Sequence, residues 1–78
     1  MKKIKVYSTP DCPWCKRLKQ YLKEKGVRFE EIDVSTNDKA REEMVEKSGT
    51  LAVPQTEING KIIVGFDVHA LENALQNV

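Results

Sequence analysis

The feature that most constrains the fold is an alternation between short strand-like runs and longer stretches with helical spacing of apolar residues. Residues 3–7 alternate lysines with β-branched and aromatic side chains, which predicts a first strand. Pro13 suits the first turn of a helix, where its missing N–H needs no partner, and Gly26 ends that helix. Residues 27–34 predict a second strand, although their apolar side chains change phase halfway along.

The second half of the chain predicts a helix, a hairpin and a final helix. Asn37 and the two residues before it offer N-caps for the second helix, which Gly49 closes. The pair Asn59-Gly60 predicts a hairpin over residues 55–64, because both central positions of its tight turn require positive φ. Asp67 is suited to cap the last helix.

The predicted order of elements is therefore β-α-β-α-β-β-α, in a single domain over residues 1–78. A helix between two strands implies a parallel pair, and the hairpin adds an antiparallel pair. We expect an α/β protein with a four-stranded mixed sheet and three helices.

The only two cysteines, Cys12 and Cys15, stand at the predicted start of the first helix. A bond between them would close too short a loop to add much stability, so the pair indicates chemistry. Thiol–disulfide exchange needs one thiolate to attack and a second thiol to resolve the mixed disulfide. Cys12 is the predicted nucleophile, because the N–H groups and partial positive charge of a helix start favour a thiolate, and Lys16 and Arg17 add positive charge nearby. Cys15, on a more covered face, is the predicted resolving thiol.

Other roles for the cysteines have less support. A structural zinc site would need two more ligands, and the chain offers only His69 and carboxylates. Two free cysteines without a role remain an alternative, because a lone C-x-x-C pair is a moderate signal. We expect no metal site.

Charge is unevenly distributed along the chain. Residues 1–29 contain nine Lys and Arg against two acids, whereas residues 30–78 contain four against ten. The basic part could steer anionic substrates towards the cysteines, or could simply form solvated helix faces. Nucleic-acid binding would need a continuous basic face with stacking aromatics or a known motif, and the sequence has neither.

The start of the chain runs directly into the first strand, and no apolar run approaches the roughly 18 residues of a membrane span. We therefore expect a cytoplasmic protein that binds no membrane and works as a monomer. In that compartment a C-x-x-C pair stays reduced unless it is turning over.

Three motifs at compatible spacing carry a resemblance to a known family. They are Val6-Tyr7-Ser8-x-x-x-Cys12-Pro13-Trp14-Cys15, then Val53-Pro54, then Gly65-Phe66-Asp67. Together they resemble the glutaredoxins, which have a thioredoxin-like fold, and the resemblance covers nearly the whole chain. It implies a thiol–disulfide oxidoreductase with a redox-active Cys12–Cys15 disulfide. It also implies glutathione as co-substrate, no bound cofactor, and disulfide-containing or glutathionylated proteins as partners.

The resemblance also implies roles for the other motif residues. A cis peptide between Val53 and Pro54 would bring that backbone against the cysteines, where Val53 pairs with the substrate as an added strand would. Trp14 would form an aromatic wall where the family usually has Tyr. The segment Gly65-Phe66-Asp67 would hold the γ-glutamyl end of glutathione, although Asp67 could be only a helix cap.

The chain departs from the family pattern at positions that matter for glutathione. Thr9 stands where many glutaredoxins have a Lys, Val64 replaces the first Gly of a Gly-Gly pair, and Val68 replaces an acid. Lys16, Arg41 and Lys47 could supply the missing positive charge.

Two alternative functions therefore stay open. One is a thioredoxin-like electron donor to ribonucleotide reductase, reduced by thioredoxin reductase. The other is a binding module that bridges an iron–sulfur cluster as a dimer.

Overall fold

The computed structural model describes residues 4–76. Along this part of the chain the elements are β1 (Ile4–Ser8), α1 (Pro13–Glu24), β2 (Glu30–Asp33), α2 (Asp38–Ser48), β3 (Gln55–Ile58), β4 (Lys61–Val64) and α3 (Val68–Gln76). The predicted order, the three helices and the four-stranded mixed sheet are confirmed. Lys3, predicted to begin β1, and the ends of the predicted domain (residues 1–2 and 77–78) lie outside the described residues.

The sheet has the strand order β2-β1-β3-β4. Strand β1 pairs in parallel with β2 and antiparallel with β3, and β3 and β4 form the antiparallel hairpin. Asn59 and Gly60 form its turn with φ of 50° and 87°, as the Asn-Gly signal predicts. The caps of α2 also agree with prediction, because Asn37 Oδ1 accepts from the N–H of Ala40 and Gly49 ends the helix in the left-handed region.

The predicted second strand was too long, because residues 27–29 belong to the connection from α1. The Val27 N–H still donates to Leu22 O of α1 at 3.1 Å, and pairing with β1 begins only at Glu30. Val27 and Phe29 pack with the α1 side of the core, whereas Ile32 packs on the opposite face of the sheet. This crossing explains the change of phase in the sequence.

Helices cover both faces of the sheet. On one face α1 and α3 bury eight side chains with the strands: Ile4, Val6, Leu18, Leu22, Ile58, Ile63, Leu71 and Ala74. On the other face α2 buries a smaller group made of Tyr7, Val34, Ala40 and Met44. Neighbouring residues of β1 point to opposite faces, so this central strand contributes to both groups.

The register brings three loops to one end of the sheet. Tyr7, near the end of β1, is opposite Gln55 at the start of β3, and Gln55 is opposite Val64 at the end of β4. The loop before α1, the residues before β3 and the loop after β4 therefore meet at this end. Within residues 4–76 no helix has the length and apolar character needed to cross a bilayer.

Candidate active site

A shallow cleft lies where the three loops meet. Its lining residues come from all three predicted motifs: Trp14, Val53, Pro54, Gly65 and Phe66. Two of the loops are joined directly, because the Gly65 N–H donates to Pro54 O at 2.8 Å. The structure thus brings together segments that are up to about fifty residues apart in the sequence.

Cys12 is the N-cap residue of α1 and is partly exposed. Its backbone is extended, and its Sγ accepts a hydrogen bond from the Cys15 N–H at 3.2 Å. This N–H is one of the free donors at the helix start. The geometry is that of an accessible nucleophile held in place by the helix start.

Cys15 lies one turn later in a different environment. Its side chain is fully buried, and it is a free thiol, as is Cys12. Burial, followed by the hydrogen bond with Cys12, raises the pKa of the Cys15 thiol from 9.0 to about 11. Cys15 therefore stays protonated at neutral pH until its partner reacts. This contrast is consistent with the predicted roles of nucleophile and resolving thiol.

The peptide between Val53 and Pro54 is cis, as the resemblance implied. Pro54 is buried, whereas Val53 is partly exposed at the cleft. The sequence did not single out Gln55, which fixes the loop before this peptide. Its buried Nε2 donates to Thr50 O at 3.0 Å and to Ala52 O at 2.7 Å. The available signal was a polar residue at a strand position that faces the core.

The loop of residues 65–67 makes two structural hydrogen bonds, which bear on its predicted role in binding glutathione. Asp67 caps α3, because its Oδ1 accepts from the Ala70 N–H at 3.2 Å. The Gly65 N–H is used by Pro54 O, and Gly65 itself has a φ of 83°, which favours glycine. Capping by Asp67 is therefore confirmed, and a ligand role for this loop stays a prediction.

The wall of the cleft on the α1 side is aromatic. Trp14 is 55% exposed, and its ring centroid lies 6.4 Å from that of Phe66. Phe66 in turn contacts Tyr21 edge-on at 5.8 Å. The guanidinium carbon of Arg17 lies 5.0 Å from the centroid of Trp14. The sequence predicted Arg17 only as added positive charge near Cys12, and its contact with Trp14 was missed, although an aromatic residue and a cation three apart on a helix are neighbours.

The cations that the sequence offered as replacements for the missing Lys are not gathered at the cleft. Arg41 pairs with Asp38 at 3.0 Å, and Lys47 pairs with Glu57 at 2.9 Å on the α2 side. Lys16 is exposed in α1, next to Cys15. No cluster of three or more His, Cys, Asp or Glu within residues 4–76 is arranged to hold a metal ion.

Comparisons with known proteins identify this arrangement. A family model described as Glutaredoxin matches residues 4–63. A glutaredoxin-like 8.6 kDa protein from Clostridium pasteurianum is 45% identical, over 94% of this chain and 97% of that protein. Glutaredoxin 3 of Escherichia coli K12 is 40% identical, over 92% of this chain and 88% of its own length. The crystal structure of a glutaredoxin from Archaeoglobus fulgidus superposes with a TM-score of 0.88 at 28% identity, covering 97% of this chain and 88% of that one.

Proposed function

The chain belongs to the glutaredoxin family and is a thiol–disulfide oxidoreductase, and from that premise we propose that it reduces glutathione mixed disulfides. The observation that carries the proposal is the pairing of a partly exposed Cys12 sulfur, which accepts a helix N–H, with a buried Cys15 thiol. In this proposal Cys12 is the attacking nucleophile, and Cys15 is the resolving thiol that reacts second. No bound cofactor is needed for this chemistry, because glutathione supplies the electrons.

The proposed cycle transfers two electrons through sulfur. The Cys12 thiolate attacks the glutathione sulfur of a mixed disulfide, which forms a Cys12–glutathione disulfide and releases the substrate as its thiolate. A second glutathione then regenerates Cys12 and leaves as oxidised glutathione. For a protein disulfide, Cys12 attacks one sulfur, and Cys15 loses its proton and attacks Cys12. The substrate dithiol leaves, and the Cys12–Cys15 disulfide is later reduced by two glutathiones.

Glutathione fits the chemistry of the cleft. The backbone of Val53, beside the cis peptide, is suited to pair with a peptide as a further strand would. The start of α3 carries N–H groups suited to a carboxylate, and the Asp67 carboxylate is suited to an amine. A cycle that draws electrons from glutathione suits the reducing cytoplasm, where we propose that the protein acts.

The decisive experiment is a glutathione-coupled assay with NADPH and glutathione reductase on a small glutathione mixed disulfide. The parent should turn over, and Cys12→Ser should lose activity to the uncatalysed rate. Cys15→Ser should keep activity on this substrate, because glutathione resolves the intermediate, but should lose it on protein disulfides. Cys12→Ser activity equal to the parent would contradict the proposal.

One observation supports a second candidate function. Arg41 and Lys47 are engaged in ion pairs away from the cleft, and Thr9 provides no charge for the glycine carboxylate of glutathione. A thioredoxin-like electron donor, reduced by the flavoenzyme thioredoxin reductase, needs no such cation. Turnover with thioredoxin reductase but not with glutathione would identify this alternative.

A further inference from the structure

One face of α1 beside the cleft carries an aromatic surface, with Trp14 and Arg17 exposed and Tyr21 and Phe66 partly buried against the core. We name it the α1 strip, and it consists of Trp14, Arg17, Tyr21 and Phe66. Trp14, Arg17 and Tyr21 follow one another at helical spacing on one face of α1, and Phe66 contacts both Trp14 and Tyr21. The strip begins in the cleft wall and leads away from it along the helix.

Arg17 is the cation of this strip that is available to a partner. Within residues 4–76 its guanidinium has no carboxylate partner, whereas Lys25, which lies over the Tyr21 ring, is paired with Glu72 at 3.5 Å. A guanidinium that lies over an aromatic ring can still donate its N–H groups to a carboxylate. The helix itself has four Lys and Arg against one acid, so its field favours an acidic partner.

We propose that the α1 strip binds the polypeptide of the protein substrate, and that it selects acidic segments next to the substrate cysteine. This assignment rests on the proposed function, because the mixed disulfide between glutathione and the substrate must lie at Cys12 while the residues that flank the substrate cysteine lie on the strip. The carboxylate binds the Arg17 edge, and an adjacent apolar side chain lies against Trp14 and Phe66. Glutathione occupies the Val53 side of the cleft.

The helix geometry sets the position of the acid in the substrate. Arg17 is five residues beyond Cys12, which corresponds to about 7.5 Å along a helix axis at about 1.5 Å per residue. An extended peptide advances about 3.3 Å per residue. The selected Asp or Glu is therefore two or three residues from the substrate cysteine.

The test compares two glutathionylated peptides that each contain one cysteine. In the first, glutamates stand two and three residues away on both sides of the cysteine, and in the second they are glutamines. The parent should prefer the acidic peptide in kcat/KM by about three- to tenfold at low ionic strength, the size of a partly desolvated ion pair. The preference should shrink as salt is raised. Equal kcat/KM for the two peptides would overturn the assignment.

Two variants with the same change of charge locate the effect. Arg17→Gln should bring the ratio between the peptides close to one. Lys23→Gln removes a cation from the opposite, exposed side of α1 and should keep the parent ratio. Loss of the preference in Lys23→Gln as well would assign it to net charge and overturn a role for the strip.

A small neutral substrate separates this assignment from the proposed function. The mixed disulfide of glutathione with 2-mercaptoethanol reaches Cys12 but cannot contact Arg17. The parent should reduce it, and Arg17→Gln should change its rate only by the factor by which it changes the rate for the glutamine peptide. An inactive parent would refute the proposed function, whereas an active parent without a peptide preference would refute only the strip.

Discussion

At the scale of single residues, Cys12 and Cys15 are about one helical turn apart but differ in exposure and in hydrogen bonding, two properties that govern the reactivity of a thiol. Cys12 is partly exposed and accepts an N–H, whereas Cys15 is fully buried and its pKa is raised to about 11. The raised pKa also makes stability depend on pH. The folded protein holds the Cys15 proton more tightly than the unfolded chain, so this contribution is present below pH 9 and is lost as pH rises towards 11.

Alkylation should report this difference. We expect one equivalent of iodoacetamide at pH 8 to modify Cys12 at least tenfold faster than Cys15, because a pKa of about 11 leaves about 0.1% of a thiol ionised. Fragment masses of the peptide that contains both residues measure the distribution. Urea-unfolded protein is the control, in which the two rates should converge. Preferential labelling of Cys15 in the folded protein would contradict the assigned roles.

At the scale of elements, the segment before β3 is held by the strand that follows it. Gln55, the first residue of β3, is fully buried and donates to two carbonyls of the preceding loop. The next residue, Thr56, is also fully buried, but its hydroxyl has no partner among the described residues. Gln55 thus holds the loop that carries Val53 by hydrogen bonds, whereas the equally buried Thr56 side chain does not.

Replacing Gln55 and Thr56 in turn distinguishes the effect of losing the hydrogen bonds to the loop from the effect of removing a buried polar group. Gln55→Leu should raise KM for a glutathione mixed disulfide by about fivefold with little change in kcat, because the loop loses two hydrogen bonds near the Val53 backbone that we propose pairs with the substrate. Its unfolding free energy should fall by about 1–3 kcal/mol as two carbonyls lose their donor. Thr56→Val is the matched control and should leave KM unchanged. Steady-state kinetics and urea titration measure both, and an unchanged KM in Gln55→Leu would refute the positioning role.

At the scale of the whole molecule, the two core groups share one sheet. Met44 is fully buried on the α2 side, whereas Trp14 belongs to α1 on the opposite side and contacts Phe66. Because β1 sends Val6 to one group and Tyr7 to the other, loss of either group removes support from the same strand. A chain this small depends on both groups for its stability.

We therefore expect Met44→Ala to destabilise the entire fold by about 2–5 kcal/mol, the usual cost of a core truncation of this size. Urea unfolding should shift equally by circular dichroism and by the fluorescence of Trp14, the only tryptophan. Glu43→Ala, an exposed neighbour on α2, is the control and should leave both transitions near those of the parent. A shift in circular dichroism without a shift in Trp14 fluorescence would show that the two faces unfold separately.

Much of the fold was accessible from the sequence because its signals are local. Asn37 and Gly49 bound α2, and Asn59-Gly60 forms the hairpin turn, since caps and tight turns depend on the φ and ψ of a few consecutive residues. The error in β2 has the opposite origin. Its length depends on where β1 is available for pairing, which residues 27–34 do not encode by themselves.

The sequence by itself determined the order of elements, the cysteine pair at a helix start and the motifs typical of a glutaredoxin. Only the tertiary structure decided which segments meet at the cleft and what environment surrounds each cysteine. The raised pKa of Cys15 and the burial of Gln55 follow from packing of the core, whereas the Trp14–Phe66 contact and the hydrogen bond from Gly65 to Pro54 join segments distant in the sequence. Local propensity acts along the chain, whereas desolvation and hydrogen bonding act through space, so these properties exist only once the chain has folded.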